Sequence, residues 1–150
     1  MNMRKTILFR IATLLLVMVL VCPVNVNAVE PRASDYLASY SAYIYPAGWG
    51  KVQVWFSVDG VNDMDEIGAL EIQLYESKDN ENWYWVDTFH FSDYPDMLGY
   101  NDYYHTGHIE YNGTIGRYYK AYVCVWAGKN GDGDNRYFWT YPEKATLFAG

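Results

Sequence analysis

Three histidines and a nearby glutamate come closest to a zinc-binding or catalytic set. His105 and His108 are three positions apart, and Glu110 follows two positions later. Two imidazoles and a carboxylate are ligands that zinc accepts. A strand through residues 107–111 places His108 and Glu110 on one face, whereas His90 belongs to a different strand. Histidines at this spacing outside a helix are typical of a protein surface, so no metal site is favoured. A small hydrolase using this group stays a weaker alternative.

Oxygen ligands also alternate in a Gly-rich stretch near the C-terminus. Asn130, Asp132 and Asp134 have the spacing of the first ligands of a calcium loop. Glu143 lies two positions too far along to be the distal bidentate ligand, and ordinary hairpin loops use the same residue types. We expect no cofactor, with calcium as the alternative. An acidic cluster on a neighbouring loop could add carboxylates: Asp59, Asp63, Asp65 and Glu66.

Outside the N-terminal segment, Cys124 is the only cysteine and therefore the only candidate for a nucleophilic thiol. A reactive thiol needs exposure and a cationic neighbour, but Cys124 stands in an apolar strand beside Val123, Val125 and Trp126. The sequence therefore predicts a buried cysteine that acts as a small hydrophobe. Glycoside hydrolysis uses a pair of carboxylates, but such pairs occur throughout so acidic a chain, and their presence does not indicate an enzyme. We expect that the protein is not an enzyme.

Aromatic side chains are the strongest candidates for binding, since the chain has 16 Tyr and 6 Trp. Rings displayed on a sheet can stack on sugars or anchor a protein partner. If Val123 and Val125 face the core, Tyr122 and neighbouring rings face outward. The alternative is that these rings pack into the hydrophobic core and its rim, in a domain that no disulfide stabilises. The candidate ligand-binding residues are Trp55, Trp126, Tyr137 and Trp139.

Short strands separated by turn signals are expected to position these residues. Residues 52–58 alternate apolar with polar and predict a half-buried strand that leaves Trp55 outward. A turn-rich segment is expected at 61–68, an irregular stretch at 92–106 and a hairpin loop at 128–135. The predicted strands cover residues 39–45, 51–60, 69–77, 83–91, 107–112, 117–128 and 136–141, followed by an edge strand after Pro142. The expected fold is all-β, an antiparallel β-sandwich of about seven strands.

The N-terminus has the pattern of a secretory signal peptide. Basic residues precede an apolar run at residues 11–21, and VNVNA ends at Ala28. We expect cleavage after Ala28, with a single domain over residues 29–150 that is secreted or attached to the cell surface. Cys22 as a lipidation site is the competing interpretation. Removal of residues 1–28 takes away three basic and no acidic residues, leaving 8 Lys and Arg against 18 Asp and Glu. This charge disfavours nucleic-acid partners.

Two motifs carry resemblances to known sandwich modules. Tyr122 stands two residues before Cys124, which resembles the sixth strand of immunoglobulin-like and fibronectin type III sandwiches. That resemblance implies the architecture, and it would turn Tyr122 inward, against the valine pattern. Ser77, Asp79 and Trp83 resemble a turn common in extracellular sandwich modules. Across residues 29–150 the chain is similar to uncharacterised small exported proteins of Gram-positive bacteria, a domain of unknown function, through DEIGALEIQLYES, MLGYNDYYHTGHIEY, GRYYKAYV and WAGKNG. This similarity implies that the chain shares the fold of these proteins and is exported as they are.

These observations favour a secreted, non-catalytic binding module. The expected ligand is a glycan or cell-wall polymer held on exposed aromatic rings. The alternative is an extracellular structural or protein-interaction domain whose aromatic surface mediates association. No transmembrane segment is expected after residue 28, since no second apolar run follows.

Overall fold

A computed structural model describes residues 34–150 as an all-β chain. Every strand pairing is antiparallel, as the sequence predicts, and the helical part of these residues is one 3-10 turn at Pro95–Met97. That turn cannot cross a membrane, and the described residues form no membrane-spanning helix. The strands are β1 (Leu37–Gly48), β2 (Lys51–Ser77), β3 (Tyr84–His90), β4 (Leu98–Asn112), β5 (Tyr118–Lys129), β6 (Asp132–Trp139) and β7 (Glu143–Lys144).

The 27-residue strand β2 organises the sheet, because other strands pair along both of its edges. One edge of β2 pairs with β1 along residues 51–60 and with β5 along 66–77. The other edge pairs with β4 and then with β3. β6 and β7 extend the sheet beyond β5.

Two irregularities bend β2 and curl the sheet into a half-barrel. Its pairing with β4 skips from Asp59 to Met64, and its pairing with β5 skips from Ala69 to Glu71. Extra residues on one strand bend it and increase its twist. The curl brings the edge strands β1 and β6 near each other, where the rings of Tyr40 and Phe138 lie 5.0 Å apart.

The core lies on the concave face of this curled sheet. Val52, Val54, Phe56 and Val58 are buried, which confirms the alternation read from the sequence. Alternate residues of β5 add to the same core, including Val123 and Val125. Residues of opposite parity lie on the convex side, which we call the outer face. Tyr122 therefore lies on the outer face, and the inward Tyr122 implied by the immunoglobulin resemblance is wrong.

Two-residue turns close two hairpins. Trp49 and Gly50 connect β1 to β2, and Asn130 and Gly131 connect β5 to β6. All four residues have positive φ angles between 55° and 81°. Such backbone geometry matches the twist of paired strands, and Asn-Gly adopts it at low cost.

The connection between β2 and β3 is built around Asp79. Its carboxylate accepts hydrogen bonds from the backbone N–H of Asn82, the Asn82 side chain, the backbone N–H of Glu81 and the Ser77 hydroxyl. These bonds hold the pKa of Asp79 well below its usual range, with the Asn82 backbone bond as the largest cause. The motif at 77–83 therefore stabilises a turn.

Three segments expected to be irregular belong to strands. Residues 61–68 continue β2, residues 98–106 belong to β4, and residues 132–135 belong to β6. Each was predicted irregular because it is rich in Gly, Asp and Asn, but cross-strand pairing overrides these local preferences. The pairs Glu66–Tyr100 and Gly128–Gly133 are examples.

The expected two-sheet, immunoglobulin-like sandwich is not confirmed, because the seven strands form one continuous sheet. The physical reason is that β2 does not break at residues 61–68. The hairpin of β2 and β3 and the short edge strand β7 agree with the sequence. The signal peptide, Ala28 and Cys22 lie outside the described residues.

Candidate functional site

The outer face carries a continuous group of aromatic rings, which we call the Trp139 array. The Trp139 ring lies 4.7 Å from that of Tyr122 and 5.2 Å from that of Tyr75. Tyr122 also stacks on Tyr137 at 5.5 Å. The Lys120 ammonium lies 4.4 Å from the centre of the Trp139 ring and 4.5 Å from that of Trp83. The array thus comprises Tyr75, Trp83, Lys120, Tyr122, Tyr137 and Trp139.

Strand register brings these side chains together from distant parts of the chain. Tyr122 pairs directly with Trp139 across β5 and β6, and Tyr75 pairs with Lys120 across β2 and β5. Side chains that oppose each other across antiparallel strands are in contact distance. About half of the Tyr137 and Trp139 surfaces stay exposed, at 53% and 48%. The array therefore combines fixed ring positions with accessible ring surface.

A line of polar groups runs along β2 beside the array. The Tyr75 hydroxyl donates to Gln73 Oε1 at 3.0 Å, and Gln73 Nε2 donates to Glu71 Oε1 at 2.7 Å. All three side chains are half-buried. The outer face thus places hydrogen-bonding groups next to exposed rings, and such a combination can recognise a ligand with apolar faces and hydroxyl edges.

Trp55 lies in a second aromatic group, on the part of the outer face formed by β1, β2 and β4. Its indole stacks on His108 at 4.3 Å and donates from Nε1 to Gln53 Oε1 at 3.0 Å. Between the indole and β1 is a groove of about 190 Å³, lined by Tyr43, Tyr45, Gln53 and Trp55. We call this the Trp55 groove.

Hydrogen bonds on neighbouring strands fix the base of the Trp55 groove. Gln53 Nε2 donates to Glu110, and the Lys51 ammonium lies 2.8 Å from the same carboxylate. The Lys51 bond lowers the pKa of Glu110, and the Gln53 bond adds to this effect. These contacts hold the indole in one position while Tyr43 stays 55% exposed.

Trp126 lies apart from both groups, at the end of the sheet near the turn between β5 and β6. A Cβ atom added at Gly128 or Gly133 would lie 2.6 Å or 2.5 Å from Cζ2 of its indole. The ring therefore lies against the backbone of these two glycines, which pair with each other across β5 and β6. A residue with a side chain at either position would displace the indole.

The candidate zinc residues are separated by the sheet itself. His105 lies on the core side, where its ring contacts Phe56, whereas His108 lies on the outer face against Trp55. A spacing of three puts two side chains of a strand on opposite faces. His105 Nε2 is 2.9 Å from the carbonyl oxygen of Asp96. His108 and Glu110 do share a face, as the sequence predicts.

The candidate calcium residues have separate partners. Asn130 is a turn residue, whereas Asp132 and Asp134 are on β6. The Asp134 carboxylate pairs with Arg136, which lowers the pKa of Asp134. Within residues 34–150 no three His, Cys, Asp or Glu side chains are grouped so that they could hold a metal ion.

Cys124 is buried, at 1% exposure, which confirms the sequence expectation. It lies beneath the Trp139 array, paired across the strands with Glu71 and Tyr137. Burial raises the pKa of the thiol. The hydrogen bond to Cys124 is the largest cause that raises the pKa of Tyr137.

The structure thus brings Tyr137 and Trp139 together and places Trp55 and Trp126 elsewhere on the outer face. Tyr75, Trp83 and Lys120 were missed as array residues. Trp83 lies in the irregular approach to β3, where alternation does not assign a side chain to either face, and the contacts of Tyr75 and Lys120 depend on the register between β2 and β5. Tyr43 and Tyr45 were missed as groove residues. The available sequence signal was the alternation in the first predicted strand, residues 39–45, which places Tyr43 and Tyr45 on one face.

Comparisons with known proteins add little to this description. No family model matches the chain, and no curated protein matches its sequence. A crystal structure of a family 76 glycoside hydrolase from a bovine Bacteroides thetaiotaomicron strain is similar at 11% identity and a TM-score of 0.29. The match covers 71% of this chain and 20% of that chain. A similarity of this size carries no argument about fold or activity.

Proposed function

We propose that the protein is a secreted, non-catalytic binding module whose ligand is a glycan or cell-wall polymer held on the Trp139 array. The observation that carries the proposal is the array itself: aromatic rings from three strands in continuous contact on the solvent side of one sheet, with the loop residue Trp83 joined to them through Lys120. Pyranose rings have apolar faces that pack on such surfaces.

Three properties of the array support a sugar ligand. Contacts with neighbouring rings hold Trp139 and Tyr122 in position, so binding costs little side-chain entropy. The line of Tyr75, Gln73 and Glu71 supplies donors and acceptors for hydroxyl groups next to the rings. Lys120 is held between two indoles and offers further N–H donors.

The Trp55 groove supports the same class of ligand at a second position. It combines three aromatic rings with the Gln53 amide and is shallow and open. We propose that it contributes an additional sugar contact, with the Trp139 array as the principal site. Secretion rests on the N-terminal sequence pattern alone.

A binding screen of the purified protein against glycans and cell-wall polymers tests the proposal. We expect Trp139→Ala to weaken binding about tenfold or more, as truncation of a central aromatic contact does. Trp55→Ala is expected to have a smaller effect. The matched control is Trp49→Ala, because Trp49 is 79% exposed and lies at a turn outside the array.

All variants are compared at an unchanged melting temperature. Loss of binding in Trp139→Ala with retention in Trp49→Ala supports the array as the site. Equal loss in both variants, or no glycan binding by the folded parent, contradicts the proposal. In the second case, an oligomer in solution would favour the alternative of an interaction domain.

A further inference from the structure

Three segments meet at one end of the sheet: the turn between β1 and β2, the connection between β4 and β5, and the C-terminal segment after β7. They comprise residues 48–50, 113–116 and 145–150. The backbone N–H of Trp49 donates to the carbonyl oxygen of Leu147 at 2.8 Å. A Cβ atom added at Gly50 would lie 3.2 Å from the backbone nitrogen of Ile115. The three segments therefore form one joined surface.

This surface exposes four large apolar side chains, which we call the apolar tip: Trp49, Ile115, Leu147 and Phe148. Trp49 and Phe148 are 79% and 77% exposed. From the usual size of such side chains, the four leave on the order of 500 Å² in water. A contiguous apolar patch of this size is among the largest that a monomeric protein exposes, and such patches often bind a partner.

The turn itself does not explain why Trp49 is a tryptophan. Its φ angle is 55°, in the left-handed region. Two-residue turns of this kind favour Asn and Gly, and a bulky residue there is uncommon. Because the side chain is also mostly exposed, packing within the domain does not account for it either. Both observations point to a contact outside the domain.

The tip segments contain no charged residue, although the chain has 11 Lys and Arg and 18 Asp and Glu. Their sequences are GWG, GTIG and ATLFAG. Each segment is directly followed or preceded by a basic residue, and we call these three residues the collar: Lys51, Arg117 and Lys144. The apolar tip is thus bordered by cations on all three segments.

Acidic neighbours balance the charge of the collar. Lys51 lies 2.8 Å from Glu110, and Arg117 lies 3.1 Å from Glu76. Lys144 follows Glu143 in the chain. These three pairs give the collar both signs of charge and no net charge. The acidic cluster that starts at Asp59 is eight positions along β2 from Lys51, about 26 Å in an extended strand, well beyond the screening length at physiological salt.

We propose that the apolar tip inserts into the interface of a zwitterionic lipid bilayer, with the collar at the level of the headgroups. Trp, Phe and Leu side chains bury at the boundary between headgroups and acyl chains. Lys and Arg donate to lipid phosphates, and carboxylates attract the cationic headgroup nitrogen. The balanced collar therefore complements a headgroup that carries both charges.

Charge and area favour this surface over two other partners. Residues 29–150 have 8 Lys and Arg against 18 Asp and Glu, so an anionic bilayer would repel the domain. A stable dimer buries about 800 Å² on each partner, which exceeds the area of the tip. The inference does not depend on glycan binding, because the tip shares no residue with the Trp139 array or the Trp55 groove.

Flotation of the purified protein with phosphatidylcholine vesicles tests the inference. Mass spectrometry first confirms that residues 1–28 are absent, because the apolar run at 11–21 would bind lipid by itself. We expect the parent to float with the vesicles, and Trp49→Ala and Phe148→Ala each to weaken partitioning about tenfold, since binding scales with the apolar area inserted. The double variant is expected to stay with the unbound fraction.

The matched control is Tyr103→Ala, which removes an aromatic side chain that is 60% exposed on β4, nine positions before the end of that strand at the tip. It is expected to float as the parent does. Added salt should leave binding unchanged, and phosphatidylglycerol in the vesicles should weaken it.

A fluorescence measurement locates the inserted residue. Lipids with brominated acyl chains should quench the tryptophan emission of the parent. Trp49→Phe keeps an apolar ring at the tip, so it should still float, but its remaining emission should be quenched much less.

Four results would overturn the inference. They are a folded parent that does not float, equal losses in Trp49→Ala and Tyr103→Ala, quenching that Trp49→Phe leaves unchanged, and binding that requires phosphatidylglycerol and disappears in salt. A parent that sediments as a dimer, with a monomeric Trp49→Ala variant, would also overturn it, because the tip would then be covered by a second copy of the chain.

Discussion

Replacement of Gly133 by alanine is expected to destabilise the domain because the Trp126 indole occupies the space of the new methyl group. The added Cβ would lie 2.5 Å from Cζ2 of the indole and 2.7 Å from the carbonyl oxygen of Ala127. Forcing an atom into such a packed position costs about 1–3 kcal/mol. Against this, alanine gains roughly 0.5–1 kcal/mol over glycine within a strand.

A double-mutant cycle isolates the contribution of the indole. In a Trp126→Ala background the indole clash is absent, so Gly133→Ala is expected to cost little or nothing beyond the contact with Ala127. The expected coupling between the two positions is about 1–3 kcal/mol, in the range typical of residues in direct contact.

Urea unfolding followed by far-ultraviolet circular dichroism measures all four proteins without depending on tryptophan fluorescence. The slopes should be equal, so that midpoint differences report stability. Equal costs of Gly133→Ala in both backgrounds would refute the packing of Trp126 on the glycine pair.

Three other predictions concern single side chains. The depressed pKa of Asp79 adds stability that is complete above the ordinary carboxyl pKa and is lost as pH falls below it; unfolding midpoints from neutral to acid pH should fall less steeply in Asp79→Ala. Burial and a raised pKa keep the Cys124 thiol protonated; native-state labelling with a thiol reagent should be slow, and faster in Tyr137→Ala. His108→Ala should shift the Trp55 indole N–H resonance, whereas His105→Ala should leave it in place.

The parts of the fold that follow a regular period could be read from the sequence. Residues 52–58 alternate without interruption, so the buried face of β2 and the outward position of Trp55 follow directly. The same logic on β5 turns Val123 inward and Tyr122 outward. Cys124 is buried as predicted, although it lies on the outer face beside Tyr137 and outside the core that Val123 and Val125 join.

The parts that depend on long-range pairing could not be read in this way. Residues 61–68 contain Asp, Asn and Gly, which locally favour turns, but pairing on both edges extends β2 through them. Because that strand does not end, a single curled sheet forms instead of two stacked ones.

The same reason explains what was missed at the site. The array depends on the register between β2, β5 and β6, which fixes the contacts of Tyr75 and Lys120 with Trp139. Register follows from strand ends and bulges, and neither has a sequence signal here as clear as alternation.

The most direct test of glycan binding on the outer face is the response of the six indole N–H resonances to the best-binding glycan of the screen. Titration of isotope-labelled protein is expected to shift the Trp139 and Trp83 resonances progressively and to leave Trp49 unchanged. Shifts confined to Trp49, or no shift of Trp139 at saturation, would contradict binding at the Trp139 array.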